Sequence, residues 1–333
     1  MASFDTYIRK SIFMIDLNEH SSLDTLRSLP IWEGNEMLIK AEPAGESNMN
    51  LVLRITTNLR SVILKQSKPF VRKFPQIPAP IERIEIEMCF FQLLEDDEVL
   101  RKFSPTVILY DGANHILLLE DLGNGTDYSE IYADGFSWNK NDLQSISRYL
   151  SALHELQVSN FPDNIKMKKL NHEHLFEFPF KVENGFDLDT IQPGLQNVSL
   201  KYKTDENLKS ALGQLGKRYL SHGTTLVHGD FYPASWLKTE HGVRIIDTEF
   251  AFMGDCEFDL GVMFAHFDLA KIDSDLNEEF LLHYEHTFNE KLVDKYRGME
   301  IMRRLIGIAQ LPLSLSLEEK KHLLEKARTL ILS

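Results

Sequence analysis

The spacing of apolar residues changes near residue 124, and that change restricts the fold more than any other feature of the chain. Before it, MLIKAEPA (37–44), NLVLRITT (50–57) and SVILKQS (61–67) are short β-type runs separated by turn residues such as Gly45, Ser47 and Asn58. They read as an antiparallel meander. TVILYDG (106–112) and HILLLEDLG (115–123) read as a second hairpin, ending in Gly123-Asn124-Gly125. Between them, Pro69, Pro75, Pro78 and Pro80 mark an irregular link, and ERIEIEMCFFQLLEDDEVLRKF (82–103) has helical spacing. A helix is also expected over residues 5–29, broken at Pro30. After residue 124, NKNDLQSISRYLSALHELQ (139–157) and LKSALGQLGKRYLSHG (208–223) are helical, with a polar, poorly periodic stretch between them. Sheet first and helices second predicts an α+β protein of two lobes. The expected division is an antiparallel-sheet lobe over 1–119, a hinge over 120–124 and a mainly helical lobe over 125–333.

The stretch LVHGDFYPASWLKTEHGVRIIDTEFAF (226–252) interrupts the helical part. WLKT and VRIID are strands joined by a turn at Glu240-His241-Gly242. A hairpin returns the chain to its start, so the loop with Asp230 and Ser235 and the segment with Asp247 and Glu249 should lie at one end. In extended chain, residues two apart point to the same side. Asp247 and Glu249 would then form a hard, oxygen-rich pair of the kind Mg²⁺ accepts alongside phosphate oxygens and water. Asp230, held apart on its loop, is placed to accept a proton from a substrate hydroxyl. Phosphoryl transfer asks mostly for such positioning and charge neutralisation.

Two further features agree. Lys65 stands in an apolar strand, where a lysine is costly to bury unpaired. The helix that follows offers Glu82, Glu85 and Glu87 as partners, and a strand lysine paired with a helix glutamate positions phosphates in the kinase template. LLLEDLG (117–123) is an apolar strand running into an acidic link, where free backbone groups can meet adenine. The net charge of −14 and the absence of a basic run argue against nucleic acid or an anionic membrane as partner. Two cysteines, Cys89 and Cys256, make neither a metal cluster nor a disulfide framework, and a reducing cytoplasm is expected.

The strand lysine, the link and the HGD…D-x-E order resemble the protein-kinase-like fold of the aminoglycoside phosphotransferase and choline kinase superfamily. Several stretches are more closely similar to 5-methylthioribose kinases: SVILKQSKPFVR (61–72), ERIEIE (82–87), LEDL (119–122), HGD followed by four residues and Ser235, IDTEFAFMGDCEFDLG (246–261) and MRRLIGIA (302–309). The resemblance implies ATP and Mg²⁺, Asp230 as catalytic base, and Asp247 and Glu249 as metal ligands. It implies Lys65 on the ATP phosphates held by Glu87, with Ser47, Asn48 and Asn50 in the phosphate loop. Glu120 and Leu122 would face adenine through their backbone, Arg303 and Arg304 would face the sugar, and His228 and Ser235 would support the loop. It also implies a role in methionine salvage and leans toward a homodimer. The chain departs from the family pattern in HGDFYPAS for HGDLHTGS, in Thr248 for Pro, in Ser47 for Gly and in Gln310-Leu311 for His-Val. Another ribose-like sugar or a small alcohol therefore stands beside methylthioribose as acceptor, and a generic phosphotransferase or a non-catalytic nucleotide-binding protein beside the sugar kinase. His154 is expected to be structural, packed near the catalytic loop. His172 and His174 have ligand-like spacing without a third partner.

Overall fold

The computed structural model describes residues 14–45 and 47–333. These divide into two compact units, one taking in the chain up to Met88 together with Thr106–Asp121, the other Cys89–Pro105 with Leu122–Ser333. The chain passes from one unit to the other at 88/89, 105/106 and 121/122. The segment 89–105 belongs to the second unit, where the buried Phe90 meets the rings of Phe161 and His228.

In the first unit, β1 (Leu38–Pro43), β2 (Leu51–Thr57) and β3 (Ser61–Gln66) form the expected meander. After the short pair β4 (Phe70–Val71) and β5 (Phe74–Pro78) comes helix α2 (Arg83–Glu95), and then β6 (Val107–Asp111) and β7 (Ile116–Glu120) complete a five-stranded antiparallel sheet in the order β1-β2-β3-β7-β6. Leu51, Leu53 and Ile55 alternate into a core with Val62, Leu64, Ile116 and Leu118, as a sheet with one packed face requires. The N-terminal helix is shorter than expected. α1 covers Leu23–Arg27, capped by Ser22, and residues 14–22 are irregular. They are held in place by side chains instead: Gln66 accepts from Leu17 N through Oε1 and donates to Ile15 O and Asn114 O through Nε2. Residues 5–13 of that expectation lie outside the described residues.

In the second unit, α3 (Lys140–Glu155) and α6 (Glu206–Leu220) stand where helical spacing placed them. The stretch between them is not loop. It holds α4 (Ile165–His172), a π-helical turn over Glu173–Glu177 and α5 (Leu195–Lys203), which pack on the core through Leu175, Phe176, Leu195 and Tyr202. Few apolar residues per turn were enough, because large aromatics supply the burial. The strands are β8 (Thr126–Asp127), β9 (Thr225–Val227), β10 (Trp236–Thr239), β11 (Gly242–Ile245) and β12 (Phe252–Gly254). α7 (Cys256–Leu269), α8 (Asp275–Leu281), α9 (Glu290–Ile306) and α10 (Leu317–Leu332) follow. α7 is buried along almost its whole length, against α9 and β9. Among the described residues, no helix is long and apolar enough to cross a membrane.

Arg83, fully buried at the start of α2, ties the first unit together. Its guanidinium donates to the carbonyls of Lys68 (2.6 Å), Pro80 (2.8 Å) and Met49 (2.8 Å). Met49 lies in the β1–β2 loop, whose other carbonyls are held by Arg72 Nη1 on Ser47 (2.9 Å) and by the Lys73 amide on Asn48 (3.0 Å). Replacing Arg83 by Leu leaves several buried carbonyls without a donor, and should cost about 3 kcal/mol. Urea unfolding of the variant checks this: a lowered midpoint is expected, and an unchanged one would refute the role.

Candidate active site

On β3, Val62 and Leu64 face the core, so the intervening position and Lys65 face the other way. Lys65 Nζ meets Glu87 Oε1 at 2.5 Å, with both side chains almost completely enclosed. Of the three glutamates at the start of the helix, Glu82 and Glu85 are exposed. Glu87 falls on the buried stripe Arg83-Glu87-Phe90-Leu94, which explains why it is the partner. Asp121, the acid of the LEDL link, is engaged within the first unit by Arg54 (3.1 Å) and Ser61 Oγ (2.5 Å). The Glu120 amide donates to Thr106 O at 3.0 Å, and the Glu120 carboxylate accepts from Thr106. Ser47, Asn48 and Asn50 lie in the clamped β1–β2 loop, where Ser47 Oγ accepts from the Asn50 amide at 3.3 Å. Leu122 opens the second unit's main segment.

In the second unit, β9 leads into His228-Gly229-Asp230, and its pairing with β12 brings residues 246–251 alongside. His228 Nε2 donates to Ile246 O (2.9 Å), and the Ile246 amide donates to Ser235 O (3.0 Å). The two acid-bearing segments thus lie together, as the hairpin implied. The local backbone is different from the expectation, however. β11 ends at Ile245; Asp247 has φ +63°, and Glu249 sits in a turn closed by the Ala251 amide on Thr248 O. The extended-strand reason for pairing Asp247 with Glu249 does not apply, because Asp247 is in the left-handed region and Glu249 is buried in the turn that follows it. Asn164 braces that turn, donating to Glu249 O and Ala251 O at 3.0 Å each.

The backbone of the His228-Gly229-Asp230 loop is gripped by Asp259, in the first turn of α7. Its fully buried carboxylate accepts from the amides of His228 (2.7 Å) and Gly229 (3.0 Å), and from His154 Nε2 (3.2 Å). His154 Nδ1 in turn meets Tyr284 Oη at 2.7 Å, so His154 is a structural residue under the loop. Ser235 Oγ donates to Asp230 O (2.9 Å), and the Asp230 amide donates to His228 Nδ1 (3.3 Å). His228 therefore carries its proton on Nε2, and burial pushes its pKa down, which keeps the ring neutral.

Asp230 retains 21% of its side-chain exposure, on the side where Arg303 Nη1 and Arg304 Nη2 each approach Oδ1 to 3.9 Å. Burial raises its carboxyl above the ordinary aspartate range, against the lowering pull of the two arginines. Both arginines bind Glu300: Arg303 Nη1 at 3.0 Å and Arg304 Nε at 2.6 Å. His266 Nε2 meets the same carboxylate at 3.2 Å, and His266 Nδ1 meets Tyr132 Oη. Arg304 also lies over the ring of Tyr232, 4.8 Å from its centroid. Tyr232 is one of the residues by which HGDFYPAS departs from the family pattern. His172 pairs with Glu177 at 3.4 Å, and among the described residues no three His, Cys, Asp or Glu side chains group to hold a metal. The side-chain chemistry of Asp247 and Glu249, two carboxylates two residues apart next to the loop of Asp230, is compatible with Mg²⁺, an ion that takes one or two carboxylates and completes its shell with phosphate and water.

Asp259, Glu300, His266 and Asn164 were not identified from the sequence. Two of them carry a readable signal. Asp259 is an isolated acid in the apolar run FDLGVMF, which would be costly to bury without partners, and Glu300 stands three and four residues before the arginines on one helix face.

Gly229 has φ +82°, and a Cβ there would lie 2.2 Å from Phe250 O. Gly229→Ala must therefore move either the loop or the turn that holds Phe250. A loss of roughly 3 kcal/mol or more is expected, with turnover falling further than stability alone explains. Thermal unfolding and kcat measured together check this; an alanine variant with unaltered Tm and turnover would refute it.

A model of the phosphotransferase enzyme family matches residues 40–301, which include Lys65, Glu87, Asp230, Asp247 and Glu249 and stop just short of Arg303. The methylthioribose kinase of Pectobacterium atrosepticum is 29% identical over 243 residues, 68% of this chain and 59% of that protein. Methylthioribose kinase 2 of Oryza sativa is 25% identical over 243 residues, 69% of this chain and 56% of its own. Those alignments therefore span less than two thirds of the relatives' length. With the methylthioribose kinase of Exiguobacterium sibiricum the identity is 27%, over 90% of this chain and 89% of the relative. Among solved structures, a choline/ethanolamine kinase family protein from Mesorhizobium loti superposes with a TM-score of 0.55 at 16% identity, covering 93% of this chain and 94% of that one. LicA in complex with AMP gives 0.54 at 17% identity, covering 90% and 95%. These two likenesses establish the fold. The family match runs from β1 into α9, and the chain belongs to the phosphotransferase enzyme family.

Proposed function

We propose that this protein is an ATP-dependent kinase that transfers the γ-phosphate to a hydroxyl of a neutral ribose-type sugar, with 5-methylthioribose the first candidate. The observation that carries the acceptor class is the arginine pair, with both guanidiniums 3.9 Å from Asp230 Oδ1. An arginine keeps its charge throughout the working pH range and offers several donors. Beside the base it suits sugar hydroxyls and repels a cationic alcohol or aminoglycoside. The relatives named methylthioribose kinase, in bacteria and in rice, support the same reading and would place the reaction in methionine salvage.

In this reading Lys65, held by Glu87, meets the ATP phosphates, with Ser47, Asn48 and Asn50 in the clamped loop. The backbone of Glu120 and Leu122 serves adenine. Asp247 and Glu249 would hold Mg²⁺, which neutralises phosphate charge when bound. Asp230 orients the acceptor hydroxyl and takes its proton as the oxygen bonds to the γ-phosphorus and the β–γ bridging oxygen leaves. Arg303 and Arg304 orient the neighbouring hydroxyls. Positioning and electrostatics of this kind supply most of the catalysis in phosphoryl transfer.

The test is turnover across a panel of sugars, choline and aminoglycosides, followed by variants with the best acceptor. Asp230→Asn should lower kcat by about 10²–10⁴-fold while ATP still binds. Because burial raises the Asp230 pKa, activity should fall with acidification at a pH above the ordinary aspartate value of about 4. Arg303→Ala should raise the acceptor KM and leave that of ATP nearly unchanged. Choline or an aminoglycoside outperforming every sugar would overturn the proposal.

A further inference from the structure

Glu300 has no part in the reaction as proposed, yet it is fully enclosed and carries a charge. A buried carboxylate costs several kcal/mol unless well paired. Here the pairing is complete. Its oxygens receive Arg303 Nη1 (3.1 and 3.0 Å), Arg304 Nε (2.6 Å) and His266 Nε2 (3.2 Å). One tautomer of His266, protonated on Nε2, satisfies both neighbours, since Nδ1 then accepts from Tyr132 Oη. Burial pushes His266 down to about 4, so this neutral form holds at working pH.

The charges around Asp230 therefore balance: Asp230 and Glu300 against Arg303 and Arg304. The other titratable groups facing them are neutral. Tyr132 and Tyr232 are raised by burial; Tyr219, from α6, is raised likewise; His228 across the loop is lowered. His174, from the π-helical turn, is lowered by burial and by Arg303. Asp259 and Asp247 also act on His228, and Asp247 on Tyr232.

The two arginines are held differently. Arg304 is engaged through Nε on Glu300, through Nη1 on Ala309 O (3.4 Å) and through its face on Tyr232. Among the described residues, Arg303 is held through Nη1, and its buried Nε finds no hydrogen-bond partner. Losing Glu300 would thus release Arg303 first. It would also leave two guanidiniums facing one carboxylate.

We propose that Glu300 is a positioning residue: it aims Arg303 and Arg304 at the acceptor side of Asp230 and cancels one of their two charges. The inference rests on the kinase reading above. Its consequence for the base has a definite sign. A negative charge near Asp230 disfavours its ionised form, so removing that charge makes Asp230 easier to ionise and less basic.

Two variants separate aim from charge. E300Q removes the charge and keeps the shape; E300D keeps the charge and shortens the reach. With the best acceptor of the wild-type protein, E300Q should raise the acceptor KM about tenfold, leave the ATP KM within about twofold, and move the acid limb of kcat/KM down by about half a pH unit or more. E300D should raise the acceptor KM with the limb unmoved. Wild-type values for E300Q, or a wild-type acceptor KM for E300D, would overturn the proposal. A carboxyl ¹³C titration, with Asp230 assigned through Asp230→Asn, reads the charge effect without turnover: its midpoint should be lower in E300Q, and equal midpoints overturn the proposal. If the wild-type protein phosphorylates nothing, the kinase reading falls, and the titration still decides the coupling between Glu300 and Asp230. If E300Q fails to fold, E300D and its acceptor KM decide the aim.

Discussion

The carboxylate of Asp259, fully buried and bonded to two successive backbone amides, is the constraint on which the rest of the site depends. A side-chain acceptor that receives both His228 N and Gly229 N fixes the direction in which the loop leaves β9. Gly229 can follow that direction because it tolerates positive φ and because nothing larger fits against Phe250 O. Asp230 is then carried to the place where the arginines of α9 meet it, and His228 is left to bind Ile246 O and hold the neighbouring turn. The position of Asp230 is thus set by the backbone beneath it more than by its own contacts.

Each unit has its own version of this economy. In the first, Arg83 collects three carbonyls and holds the β1–β2 loop, while Glu87, one helical turn on, holds Lys65. In the second, Asp259 collects amides and Glu300 collects guanidiniums. At Arg83, Asp259 and Glu300 a buried polar group is satisfied by several partners, the condition under which its desolvation is offset and its geometry becomes specific.

Much of this was legible in the sequence. The alternation of Leu51, Leu53 and Ile55 and the spacing in α3 and α6 report burial on one face, so sheet and helices were readable. Lys65, Asp230 and the arginines were readable because each is a polar residue in an apolar or motif context. What escaped depended on distant partners. Residues 14–22 are irregular because Gln66 and Asn114, far along the chain, take their backbone groups. Asp247 leaves the extended region because the chain must turn to pair β12 with β9, which no local pattern announces. α4 and α5 were hidden by sparse apolar residues whose burial comes from aromatic side chains of other elements.

The most direct test of this account is the Asp259→Asn variant. An asparagine oxygen can accept from one of the two amides, and its NH₂ then faces the other donor. Nucleotide should still bind, while kcat falls by about 10²-fold or more and hydrogen exchange at the amides of His228 and Gly229 quickens. Wild-type turnover in Asp259→Asn, with both amides still protected, would show that the loop is positioned by something other than this carboxylate.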